Sequence, residues 1–132
     1  MNKVTIIVEQ AADGSYWCYS KESINGIGLN ACGSTVKDAK KDLMLCLEEV
    51  KALAKEQGKP FPEVSFAYKY DLKSFFDYFK YLNVTEIAKR AKINPSLMRQ
   101  YVCGIKNAGE KTYNRLSKCI EDIKTELNTA SF

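Results

Sequence analysis

The chain has 132 residues, 45% of them hydrophobic, 27% charged and 11% aromatic, which is the balance of a folded globular protein and excludes disorder over the whole length. No apolar run approaches the roughly 18 to 20 residues of a membrane-spanning helix, and the opening stretch Met1 to Glu9 lacks the long apolar segment of a signal peptide, so a cytoplasmic location is expected. The net charge of +4 falls entirely in residues 71–132; residues 1–70 are balanced, with nine basic and nine acidic side chains.

Lys3 to Glu9 alternates, with Val4, Ile6 and Val8 on one side, and predicts a strand. Asp13-Gly14 supplies a turn, and the aromatic run Tyr16-Trp17-Cys18-Tyr19 reads as the second strand of a hairpin. A third short strand over Leu29 to Cys32 follows the Asn25-Gly26 turn. Ser34 and Thr35 stand where a helix N-cap belongs, with Asp38 as acidic partner in the first turn. Val36, Ala39, Leu43, Cys46, Leu47, Val50, Leu53 and Ala54 then recur at three- and four-residue intervals, which predicts a long helix with one apolar face. Lys37, Lys40, Lys41, Asp42, Glu48, Glu49 and Lys51 fall on its wet face, and Gly58 and Pro60 end it. Glu63 to Tyr70 alternates again and completes a sheet.

From Asp71 the period turns helical. The expected division is therefore a β-β-β-α-β domain over 1–70 and an all-α domain over 71–132, in the α+β class. Asp71 caps a helix whose stripe is Leu72, Phe75, Phe76, Phe79 and Leu82. Helices over Thr85 to Lys92, Pro95 to Val102 and Glu110 to Leu127 follow, the last with Tyr113, Leu116, Ile120, Ile123 and Leu127 as its inward seam.

The residue inventory narrows the chemistry. Without histidine the chain cannot build Ser-His-Asp or Cys-His sites, and its five cysteines, at 18, 32, 46, 103 and 119, include no Cys-x-x-Cys pair. They read as reduced thiols, and neither a cofactor nor a metal is expected. A ribonuclease-H type enzyme would need carboxylates clustered at strand ends around two cations; Glu9, Asp13, Glu22 and Glu63 are the only ones near strands and define no common site, so no enzymatic activity is expected.

The segment 83–118 carries Lys89, Arg90, Lys92, Arg99, Lys106, Lys111, Arg115 and Lys118 against Glu86 and Glu110, a net of +6 that suits a polyanion. Within it, Val84 to Gly104 resembles the helix-turn-helix of phage repressors of the Cro/C1 type. Ile87 and the small Ala88 lie in the first helix, Ile93 fills the turn, Asn94 caps the next helix, Pro95 takes its first position, Met98 and Tyr101 point inward and Gly104 ends it. The remaining outer positions, Ser96, Arg99 and Gln100, are the expected base readers, since arginine pairs with guanine and glutamine with adenine in the major groove. Thr85, Lys89, Asn94 and Lys106 are expected at the phosphate backbone. Lys92 stands where this motif usually has glycine, at a cost of about 1 kcal/mol if the backbone there is left-handed.

End to end, the chain resembles the HicB-like antitoxin family of bacterial type II toxin-antitoxin systems. The resemblance rests on the Gly33-Ser34-Thr35-Val36-Lys37-Asp38-Ala39 helix entry, the Phe61-Pro62-Glu63-Val64-Ser65-Phe66 strand entry, Asn94-Pro95-Ser96, and Arg99-Gln100-Tyr101 with Gly104. It implies a partial ribonuclease-H-like fold for 1–70 that binds and blocks a small RNA-cleaving toxin of the HicA type. It further implies that 71–132 binds double-stranded operator DNA and represses the operon. Gly33-Ser34-Thr35 departs from the acidic Gly-Asp-Thr of many relatives. Two operator half-sites call for a homodimer or higher homo-oligomer. The alternative is a solitary helix-turn-helix regulator whose first domain senses a ligand or assembles the oligomer.

Overall fold

A computed structural model describes residues 2–132 as a mixed α+β protein in two compact units that divide between Tyr78 and Phe79. The division falls after the first helix of the helical stretch, not before Asp71.

The first unit runs β1 (Asn2–Gln10), β2 (Tyr16–Ser20), β3 (Asn30–Gly33), α1 (Val36–Glu56), β4 (Val64–Tyr70) and α2 (Leu72–Tyr78). Its sheet has the order β3-β2-β1-β4, with β1 antiparallel to β2, β2 antiparallel to β3, and β1 parallel to β4. Joining β3 at one edge to β4 at the other requires a crossover over one face, and α1 is that crossover. The registers Val8↔Cys18, Cys18↔Ala31 and Val4↔Phe66 align one set of alternate side chains across the sheet. Val4, Ile6, Val8, Cys18 and Ala31 are buried there against Val36, Ala39, Leu43 and Leu47 of α1.

Local chemistry fixes the connections. Asn25 and Gly26 both have positive φ (52° and 77°), and Ile24 and Ile27 exchange two backbone hydrogen bonds of 2.8 and 2.9 Å, the geometry of a type I′ turn. Asp13 Oδ1 accepts from the amide and hydroxyl of Ser15 at 2.9 and 2.6 Å, closing the loop between β1 and β2. Thr35 is the N-cap of α1, its hydroxyl accepting from the Asp38 amide at 3.1 Å. Just before it, Gly33 lies so close to the first turn that an added Cβ would stand 2.6 Å from the Ala39 nitrogen.

Three placements differ from the sequence expectation. Lys40, assigned to the wet face of α1, is half-buried, its ammonium 3.6 Å from the ring centre of Tyr78, 4.1 Å from that of Tyr68 and 5.2 Å from that of Tyr70. Burial lowers its pKa, and the rings hold the cation through their π faces. Leu53, assigned to the apolar face, is exposed. The helix begun by Asp71, whose carboxylate accepts from the Ser74 amide at 2.8 Å, stops at Tyr78, because a turn from Phe79 to Leu82 breaks it before Asn83 caps the next helix.

The second unit contains α3 (Val84–Arg90), α4 (Pro95–Val102) and α5 (Glu110–Asn128). Its interior is Ile87, Ala88, Ala91, Ile93, Met98, Leu116 and Cys119. The inward face of α5 is therefore centred on Leu116 and Cys119, whereas Leu127, the expected end of its seam, is 66% exposed. Among the described residues no helix is long and apolar enough to cross a membrane.

Candidate nucleic-acid interface

The interface begins with caps. Asn83 Oδ1 accepts from the Glu86 amide at 3.0 Å and starts α3. Asn94 Oδ1 accepts from the amides of Ser96 and Leu97 at 2.9 and 3.2 Å and starts α4, with Pro95 in the first turn where no amide hydrogen is required. Between them, the amide of Lys92 donates to the Lys89 carbonyl and that of Ile93 to the Ala88 carbonyl, the paired closure of a Schellman motif. Lys92 holds the left-handed position at φ 59°, and buried Ile93 then anchors the turn. α4 ends in the same way, with Gly104 left-handed at φ 79°. Ala88, fully buried, leaves room for Met98, also fully buried, on the facing helix.

On this scaffold Ser96 and Arg99 are exposed, as the sequence places them. The Arg99 guanidinium donates from Nη1 to Thr85 Oγ1 at 3.4 Å and from Nη2 to Ser96 Oγ at 3.2 Å. Two neutral hydroxyls, one near the start of each helix, thus orient the cation without neutralising it. Lys89 is exposed and pairs with Glu86 at 3.6 Å, a surface ion pair of small energetic weight. Lys106 is exposed in the loop after α4. Arg90 pairs with Glu126, so its charge is partly spent within the unit.

One expected base reader is placed differently. Gln100 is half-buried and its Oε1 is sealed from solvent without a hydrogen-bond partner, whereas pairing with adenine requires both amide atoms exposed. The chain turns back at Gly104, and Ile105 and Lys106 both donate to the Gln100 carbonyl. Asn94 spends its oxygen on the cap, which also occupies the amides of Ser96 and Leu97 that a phosphate would otherwise meet. Thr85 acts by orienting Arg99, a role that helical spacing alone does not reveal.

The carboxylates near the strands have local duties as well. Glu22 accepts from the Thr5 amide at 2.8 Å, which lowers its pKa, and the Ser15 hydrogen bonds lower that of Asp13. Among the described residues no three His, Cys, Asp or Glu side chains converge as a cation site.

Together these features define an exposed basic helical pair in the second unit, while the first unit is built on a four-stranded mixed sheet. Comparisons with protein-family models, curated proteins and solved structures find no match to this chain.

Proposed function

We propose that the chain is a DNA-binding antitoxin. The second unit acts as a helix-turn-helix that reads an operator duplex, and the first, a partial ribonuclease-H-like domain, binds and blocks a small RNA-cleaving toxin. The observation that carries the DNA reading is Arg99, exposed, held by Thr85 and Ser96 and in no ion pair with a carboxylate among the described residues. A guanidinium fixed in this way enters a major groove with part of its ordering entropy already lost and its charge intact. The +6 balance of residues 83–118 supplies the long-range attraction. The β-β-β-α-β order of the first unit supports the antitoxin reading.

Gel shifts with the DNA upstream of the coding sequence test the proposal. Affinity is expected to fall steeply with salt; Arg99→Ala relaxes base preference, costing about 1–3 kcal/mol on the preferred site, while Lys106→Ala weakens all sequences alike. Salt-independent binding, or none, refutes it. Recovery of a stoichiometric small basic protein from the native host tests the toxin partnership separately.

A further inference from the structure

The face of the sheet opposite α1 carries a feature that the DNA reading leaves unused. Glu9 on β1 stands directly across from Trp17 on β2, and Tyr19, two residues along β2, stands across from Asn30 on β3. With Ala11, Gly28 and Leu29 they line an open groove of about 510 Å³. The Tyr19 hydroxyl donates to Glu9 Oε1 at 3.4 Å, and the Trp17 indole N–H donates to Ser15 Oγ at 3.1 Å, so both rings are tethered by their polar ends. Glu9 is exposed and forms no ion pair with any lysine or arginine among the described residues.

We infer that this groove takes a guanidinium or ammonium side chain projecting from a basic protein partner. A cation over an indole or phenol face is attracted by the ring quadrupole, and a carboxylate at the rim of the same groove adds a charge-assisted hydrogen bond. A guanidinium satisfies both demands at once, stacking flat while its N–H fork meets the carboxylate, so arginine is the better fit than lysine. Stacked RNA bases are the competing occupant of half-buried aromatics such as these, but their phosphates would be repelled by Glu9, which has no ion-pair partner among the described residues. The inference rests on reading the first unit as a partner-binding domain, and DNA binding by the second unit stands or falls separately.

Trp17 is the single tryptophan of the chain, so its fluorescence reports the groove directly. Titrating the full chain with an oligoarginine peptide is expected to give a saturable change in Trp17 emission, with a weaker response to oligolysine. Glu9→Gln, at an exposed position and with its fold checked by circular dichroism, is expected to bind oligoarginine about tenfold more weakly. Tyr19→Phe, which keeps the ring and loses the tether, is expected to bind a few-fold more weakly. An absent or unsaturable response, an unchanged affinity in Glu9→Gln, or a saturable response to oligouridylate in place of oligoarginine overturns the inference. A positive gel shift alongside such a failure leaves the DNA reading standing, and a toxin complex undiminished by Glu9→Gln would reject the groove while keeping the antitoxin.

Discussion

Replacing Lys92 by glycine should make the second unit more stable. Three helices of this protein close with the same pair of backbone hydrogen bonds around a left-handed residue: Gly58 after α1, Gly104 after α4, and Lys92 after α3. Only the last has a Cβ, which in that conformation costs about 1–2 kcal/mol. Glycine removes this cost but gains freedom in the unfolded chain, which takes back about 0.4–1 kcal/mol. The Lys92 side chain is exposed, and the hydrogen bond from Arg115 reaches its carbonyl, which glycine keeps, so no tertiary contact is lost. The net expectation is a gain of about 0.5–1 kcal/mol, or about 3–6 °C in Tm for a unit of this size. Urea and thermal denaturation followed by far-UV circular dichroism measure it. Trp17 fluorescence follows the first unit and assigns the shift. Lys92→Val, which brings a branched side chain to the same backbone, should lose more than about 1 kcal/mol. Equal or lower stability of Lys92→Gly would refute the argument from backbone strain.

Other substitutions probe the first unit. In Gly33→Ala the new methyl meets main-chain atoms of Asp38 and Ala39 at 2.6 to 2.8 Å, so β3 and α1 must separate; a loss of more than about 2 kcal/mol is expected in urea unfolding. Ser74 is fully buried with its hydroxyl unpaired, so Ser74→Ala should stabilise by up to about 1 kcal/mol, aided by the better helix propensity of alanine. Burial pushes the Cys18 thiol up to about 11 from an ordinary value of 9.0. The folded state therefore holds a proton that the unfolded state releases, and stability should fall as pH rises from about 9 to about 11, by at most about 1.4 kcal/mol per pH unit. Lys40, whose pKa burial lowers, contributes with the opposite sign. The measured quantity is accordingly the difference in alkaline slope between the parent chain and Cys18→Ala, and equal slopes would count against the burial effect.

Much of this molecule is local and can be read from the chain. Thr35 and Asn94 cap helices because their side-chain oxygens satisfy amides two or three residues onward, and Asn25-Gly26 turns the chain because both residues tolerate positive φ. Alternation likewise separated Val4, Ile6 and Val8 from the opposite sheet face. Such signals act within a few residues, so they do not determine which distant segments become neighbours. The parallel pairing of β1 with β4, the close approach of Gly33 to α1 and the tyrosines around Lys40 are all non-local. Lys40 lies at a polar position of its helix by periodicity, and it is half-buried only because β4 and α2 bring aromatic rings beside it. In the second unit the spacing placed Ser96 and Arg99 on the exposed side of α4. It gave no warning that the Gln100 amide oxygen would be sealed from solvent, or that Thr85 would reach Arg99 from the preceding helix. The sequence by itself determined where the capped helices start and where the tight turns fall, because those are settled by each residue's own hydrogen bonds and φ. The tertiary structure alone decided which exposed side chains stay free, because burial and charge compensation depend on the parts of the chain that fold back over them.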